Sequence, residues 1–259
     1  MILFLSPHAD DVAISCSGLL HDLLAQDYIV GVATVFSGSP NSEQYTPLIH
    51  AACYPYSPDK WMHIRCEEDI NAMSSLNIPF FQLDLPEAIF RCNDQGQLLH
   101  TDWNTLYQPY QYKEEVLIAE QLMAKLLLLI DENQVKFIIV PLAEGGHVDH
   151  QICRVCVQKI VEDMPDRLNV IFYEDYPFYP AANENLYSRF LYPTTFANKL
   201  SLLAHYPISS STGNSNIKKV LHDIENNGAH PDYDYIERYY VRGLCQSSFD
   251  LLSQLSRDE

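Results

Sequence analysis

Ile2-Leu3-Phe4-Leu5-Ser6-Pro7-His8-Ala9-Asp10-Asp11 is the stretch from which the fold can be read. The run Ile2 to Leu5 is apolar and short, as in a strand buried in a sheet. Pro7 ends it by removing a backbone donor. The polar cluster that follows therefore sits at the carboxyl end of a strand, which in open α/β sheets is the edge of the ligand crevice. His8 and Asp11 are spaced so that a tight turn can bring both side chains onto one ion, while Asp10 between them points elsewhere. Capping of the next helix explains one aspartate. It does not explain two aspartates together with His8.

Working outward, Val12 to Gln26 places Ala13, Leu19, Leu20, Leu23 and Leu24 at roughly helical spacing, with His21 and Asp22 on the other face. Tyr28 to Phe36 is rich in β-branched and aromatic residues and reads as the second strand. Strand, helix and strand make a right-handed parallel unit. The expected fold class is α/β, a Rossmann-like open and mainly parallel sheet with helices on both faces. No GxGxxG follows the first strand, so a dinucleotide is disfavoured as the ligand. Ser37 to Lys60 has little periodicity and is expected to be a long loop. His63 to Leu76 resumes a helical pattern with Arg65, Glu68 and Asp69 on its polar side, as on a solvated face. Asn77 to Leu85 supplies a third strand, Pro86 to Tyr110 is irregular, and Tyr112 to Asp131 is a long amphipathic helix.

Val135 to Leu142 is apolar enough for a central strand buried on both faces. After it comes Glu144-Gly145-Gly146-His147-Val148-Asp149-His150, running into the helical segment Gln151 to Glu162. With a helix starting near His147, His147 and His150 share a face and can approach one point. One of them would bind a metal and the other face the reacting group. HxxD and HxxH are each weak alone. Two polar clusters, each just past a central parallel strand, converge on the same crevice.

Composition limits the alternatives. A chain of 259 residues with 47% hydrophobic content can bury a large core. The formal net charge of -18 argues against nucleic-acid or anionic-membrane partners, which need a basic patch. The longest apolar run, Leu126 to Ile130, is far shorter than the roughly 20 residues of a membrane helix. Seven cysteines form an odd, scattered set with no secretory signal at the amino terminus, so reduced thiols and a cytoplasmic location are expected. Cys153 and Cys156 make a CxxC inside a helix with no second pair for a tetrahedral zinc site.

On these residues the chain resembles the PIG-L/LmbE-like N-acetylglucosaminyl deacetylases, whose usual motifs are PHPDD followed by Glu, and HxxH. SCSGLL, TVFSGSP, RCEEDINAMSSL and YEDYP add to the similarity, which spans about the first two thirds of the chain. Carried over, the resemblance implies that His8, Asp11 and His150 bind a metal, usually Zn2+, with Fe2+ as the other divalent candidate. It further implies that Asp10 is the general base and that a protonated His147 stabilises the oxyanion or assists as an acid. Ala9 stands where the family commonly has proline, and Val12 where a glutamate often follows. The implied activity is removal of an acetyl group, by hydrolysis of a linear amide, from an N-acetylglucosamine-type conjugate. Two histidines and one carboxylate leave a position open on zinc for water, as catalytic sites do.

Arg65 and Arg91 are candidates for substrate contact, and Trp61, Trp103, Tyr107, Tyr110 and Tyr176 suit stacking on a polyol. Leu168 to Phe172 reads as the fifth strand. Asp149, Glu174 and Asp175 are candidates for orienting a ligand histidine from behind. The chain is expected to form one domain, with residues 1–192 carrying the sheet. Residues 193–259 are expected to be mostly helical, with helices at Phe196 to His205, Asn214 to Asn226 and Leu244 to Leu255, and an aromatic-rich piece from Tyr233 to Val241. Homo-oligomerisation is left open. Two rival functions use the same residues: a two-histidine, one-carboxylate iron oxygenase, and a non-catalytic sugar-binding relic. Asp10 weighs against both.

Overall fold

The computed structural model describes residues 1–40, 46–110, 112–175, 187–194, 196–207, 235–242 and 246–255. Among them the strands are β1 (Ile2–Ser6), β2 (Val30–Thr34), β3 (Phe80–Gln82), β4 (Phe137–Pro141), β5 (Asn169–Tyr173), β6 (Tyr187–Thr194) and β7 (Tyr235–Arg242). The helices are α1 (Asp11–Ala25), α2 (Pro47–Cys53), α3 (Pro58–Ser75), α4 (Trp103–Leu106), α5 (Tyr112–Glu132), α6 (Val148–Asp163), α7 (Phe196–Leu203) and α8 (Gln246–Leu255), with a short 3-10 turn at Ala88–Phe90. No described helix is long and apolar enough to cross a membrane.

The strands form one sheet in the order β3-β2-β1-β4-β5-β7-β6. β3 to β5 pair in parallel, and β7 runs antiparallel to both β5 and β6. The order reverses between β1 and β4. Successive crossovers there leave on opposite faces and open a crevice beyond the strand ends. Both polar motifs lie at that reversal. β1 and β4 are buried nearly throughout, as expected of strands covered on two sides. One apolar layer joins Leu3 and Leu5 to Leu122, Leu126, Ile152 and Val157 of α5 and α6. The other joins Phe4 to Leu19 and Leu20 of α1 and to Leu202 and Leu252 of α7 and α8. Helices thus cover both faces of a mainly parallel sheet, as the βαβ reading requires.

Two expectations are corrected. Within the expected loop Ser37 to Lys60, α2 forms and α3 begins five residues before His63. The reason is local. Thr46 and Ser57 accept hydrogen bonds from the Ile49 and Lys60 amides, and Pro47 and Pro58 occupy the first turns, so both helices carry strong start signals. Past residue 192 the helices expected at Phe196 to His205 and Leu244 to Leu255 correspond to α7 and α8, but the aromatic-rich piece expected from Tyr233 to Val241 forms β7, and β6 runs across the expected boundary at residue 192. Their eight-residue register, Tyr187 with Arg242 through Thr194 with Tyr235, sets Phe190 opposite Tyr239, an aromatic pair that favours sheet. The helix expected at Asn214 to Asn226 lies outside the described residues.

Candidate active site

The turn after β1 is built from its own polar side chains. Ser6 Oγ donates to the His8 carbonyl at 2.6 Å and accepts the Val12 amide at 3.2 Å, while the His8 amide donates to Asp11 Oδ2 at 2.8 Å. Asp10 takes a left-handed backbone, with φ 86°. Its carbonyl accepts the Ile14 amide at 2.8 Å, which starts α1. The turn after β4 uses positive φ at Ala143 and Gly146. It ends at His147, which caps α6 by accepting the Asp149 amide at Nδ1, 3.3 Å away.

These turns bring His8, Asp11 and His150 together. Asp11 Oδ2 lies 3.3 Å from His8 Nδ1 and 3.4 Å from His150 Nε2, and one candidate ligand atom from each residue lies within 4.8 Å of the others. The remote nitrogens are already committed. His8 Nε2 is 2.8 Å from Asp149 Oδ2, and His150 Nδ1 is 2.8 Å from Asp175 Oδ1. Each carboxylate fixes one tautomer and leaves the opposite nitrogen facing Asp11, the arrangement that metal-ligating histidines commonly have. The donor set fits a divalent cation of the zinc type. His8, His147 and Asp149 form a second close group. However, Asp149 already accepts His8 Nε2, the Ala88 amide and Arg91 Nη1, so it serves as an anchor behind His8.

The electrostatics agree with this geometry. Burial lowers the affinity of His8 for a proton, but Asp11 and Asp149 outweigh it and raise its pKa to about 9. His150, likewise opposed by burial, is raised by Asp11 and Asp175. Burial also opposes ionisation of Asp11, yet the two imidazoles hold it well below the usual carboxylate range. The pocket therefore favours positive charge at the shared point, from protons or from a cation that displaces them. Burial pushes Asp10 up to about 7 despite Arg65.

Several expected roles are placed differently. Burial holds the His147 pKa well below its ordinary value, so the imidazole is neutral at neutral pH, contrary to the expected protonated form. With Nδ1 accepting from Asp149, the remaining proton is on Nε2. Arg65 and Arg91 are not groups held out for substrate. Arg65 is buried, ion-paired to Glu87, donates to the Ala9 carbonyl at 3.2 Å and stacks on Trp61 at 4.4 Å. Arg91 is buried between Asp149 and Glu115, with Nη1 at 2.5 Å and Nε at 2.8 Å respectively. Glu174 turns away from the site to Arg238 at 3.2 Å and Tyr240 at 3.1 Å, since consecutive residues leave a strand on opposite faces. Glu68 and Asp69, expected on a solvated face, are buried. Cys153 and Cys156 are buried in α6, and burial pushes the Cys156 thiol up to about 12, which disfavours the thiolate a metal needs. Trp103 and Tyr107 are exposed, with the Tyr107 ring 5.3 Å from that of His147. Tyr176 lies outside the described residues.

Glu87, Glu115 and His100 were not anticipated. His100 Nε2 is 2.8 Å from Glu115 Oε1, which extends the buried chain behind Arg91. The signal available was a buried arginine with no sequence-local partner, whose charge must be met by carboxylates from elsewhere.

The family model for PIG-L, GlcNAc-PI de-N-acetylase, matches residues 3–161. A 2'-N-acetylparomamine deacetylase of Niallia circulans is 27% identical over 199 residues, covering 71% of this chain and 70% of that protein. Among solved structures, a deacetylase of the teicoplanin biosynthesis pathway superposes with a TM-score of 0.76 at 21% identity, covering 94% of this chain and 99% of the other. The zinc-inhibited form of teicoplanin deacetylase Orf2 superposes at 0.75, with the same identity and coverage. These two show a common fold.

Proposed function

Because the chain belongs to the PIG-L (GlcNAc-PI de-N-acetylase) family, we propose that it hydrolyses the N-acetyl group of a small amino-sugar conjugate, releasing acetate and a free amine. The observation that carries this reading is the convergence of His8 Nδ1, Asp11 Oδ2 and His150 Nε2, with each imidazole locked from behind and Asp10 left out of the cluster. A divalent cation held there, zinc by the chemistry of the donors, would supply Lewis acidity toward the acyl carbonyl and the attacking water.

Asp10 takes the proton of the attacking water and returns it to the departing nitrogen. His147, neutral with its proton on Nε2, donates a hydrogen bond to the oxyanion as the tetrahedral centre forms. Asp149 and Asp175 keep the two ligand imidazoles in the required tautomers. The C–N bond breaks as the amine takes its proton, so one water is consumed per acetate released. Trp103 and Tyr107 are the exposed aromatic surface on which the sugar stacks. The ligand is small and not a nucleic acid, consistent with the net charge of -18. A cytoplasmic setting is supported by the free state of the described cysteines.

The test is amine release from a panel of N-acetylglucosaminides by protein stripped with chelator and reloaded with Zn2+ or Fe2+. A neighbour described as zinc-inhibited makes zinc concentration a variable of that assay. Asp10→Asn is expected to keep the cation and lose about 10²–10⁴-fold in kcat. Full activity in that variant would remove Asp10 as the base. Absence of turnover on every N-acyl sugar with any metal would remove the substrate class, and oxygen consumption on iron loading would favour the oxygenase instead.

A further inference from the structure

Tyr107 directly follows α4 and stands edge-on to His147, with the ring centroids 5.3 Å apart and the planes at 84°. The His147 ring is in turn 5.0 Å from that of His8 and 5.5 Å from that of His150. Tyr107 is therefore one ring removed from the converging cluster, and it is 39% exposed. The backbone that carries it has little regular structure of its own. On the amino side, Asp102 caps the four-residue α4 by accepting the Asn104 and Thr105 amides at 2.8 and 3.1 Å, and His100 Nδ1 lies 3.0 Å from the Thr105 carbonyl.

On the carboxyl side, the Gln151 side chain ties the chain down. Gln151 Oε1 accepts the Tyr110 amide at 2.8 Å, and Gln151 Nε2 donates to the Gln108 carbonyl at 2.8 Å and to the Gly146 carbonyl at 2.5 Å. An oxygen that faces an N–H and a nitrogen that faces two carbonyls fix the orientation of the amide and use both of its donors. Gln151 thus bridges the stretch after Tyr107 to the turn that ends at His147. The Tyr107 carbonyl lies against the same turn, where a Cβ on Gly146 would meet it at 3.5 Å. Position in α6 makes the bridge available. Gln151 is one helical turn from His147 on the same face, donates its own amide to the His147 carbonyl at 3.0 Å, and directly follows the candidate ligand His150.

We propose that Gln151 is a positioning residue for substrate binding: by tying Gln108 and Tyr110 to Gly146 it holds the Tyr107 ring beside His147, and Tyr107 is the surface that selects the sugar ring bearing the acetamido group. This rests on the deacetylase reading for the nature of the ligand, but not for the clamp. Stacking on a sugar away from the C–N bond makes the same contact before and during the reaction. Its loss therefore raises KM and leaves kcat in place.

The experiment compares wild type, Gln151→Met, Tyr107→Ala and the double variant. Gln151→Met keeps the length of the side chain and removes its three hydrogen bonds. Steady-state kinetics on an N-acetylglucosaminide, zinc affinity by competition with a chelator, and hydrogen exchange at the Tyr110 amide are read for each. Gln151→Met is expected to raise KM about three- to tenfold, with kcat and zinc affinity unchanged and faster exchange at Tyr110. Tyr107→Ala should raise KM by at least as much. The double variant should go no further than Tyr107→Ala alone, because the clamp then has no ring to position. Additive increases in KM overturn the proposal, as does an unchanged KM in either single variant or a loss of zinc affinity in Gln151→Met. Should wild type turn over no amino sugar, the functional reading has failed, and exchange at Tyr110 alone decides the clamp, which wild-type exchange in Gln151→Met would refute. Should Gln151→Met not fold, Gln151→Ala is measured with the same expectations.

Discussion

Two of the buried charge clusters of the molecule are built in opposite ways. At the ends of β1 and β4, Asp11, His8 and His150 direct their remaining donor atoms at one shared point, with Asp149 and Asp175 behind them. Between α1 and β7, Glu237 is closed on itself. Lys199 Nζ lies 2.6 Å from its Oε1, the amides of Gly18 and Leu19 donate to it at 2.8 and 3.0 Å, and the Tyr239 hydroxyl donates at 2.8 Å. Lys199 and Glu237 are both fully buried in their side chains. Burial and charge are common to both clusters, so neither property marks the site. What separates them is whether the lone pairs are already used. In one cluster they converge on a shared point that no other donor among the described residues fills, and in the other every carboxylate lone pair has a partner within the fold.

The sharpest way to break this contrast is to remove a converging group. His150→Ala is expected to abolish stoichiometric zinc binding and turnover, read by metal analysis after dialysis, because two remaining ligands do not hold a catalytic cation. Zinc retained at full stoichiometry would show that the second group, His8, His147 and Asp149, holds the ion instead. Next in size is the closed cluster. Lys199→Met leaves the Glu237 charge buried without its cation, and breaking such a pair is expected to cost about 3–5 kcal/mol. Urea unfolding checks it, and zinc affinity should not move. Loss of zinc along with stability would erase the distinction between the two regions.

The converging cluster was legible in the sequence, and the closed one was not. SPHADD and HVDH each lie within a few residues of an apolar strand, so local pattern places them at strand ends, and one sheet brings them together. Lys199 and Glu237 are 38 positions apart, and Glu237 meets Gly18 across 219 positions. No periodicity reports contacts of that span. β6 and β7 were missed for a related reason, since YSRFLYPT and YIERYYVR show no clean alternation when each pairs mainly with the other. α2 and the start of α3 are within reach, because Thr46-Pro47 and Ser57-Pro58 are their start signals, but proline is equally a loop residue. Asp69 shows the limit most clearly. At helical spacing from Arg65 it reads as a solvated ion-pair face, whereas the hydroxyls of Thr34 and Tyr206, distant in sequence, satisfy its carboxylate in the core.

The smallest effect tests whether the converging cluster depends on the charge behind it. Arg91 is buried, reaches Asp149 with Nη1 and Glu115 with Nη2 and Nε, and lies over the Phe36 ring at 5.2 Å. Burial would push the Asp149 carboxylate up, but Arg91 and the bond to His8 hold it well below its usual range. Asp149 therefore stays an anion that accepts His8 Nε2–H, and Nδ1 stays available to Asp11 and to the proposed cation. Arg91→Met keeps the stem over Phe36 and removes the charge. Zinc affinity is expected to fall about 10–100-fold, as it does when a group supporting a ligand from behind is lost. Asp175 provides the internal control, because the Ala143 amide rather than a cation braces it and His150 should keep its tautomer. If competition with a chelator finds unchanged affinity in Arg91→Met, then the Ala88 amide alone suffices to hold Asp149. In that case the carboxylates behind His8 and His150 are held in the same way, by backbone.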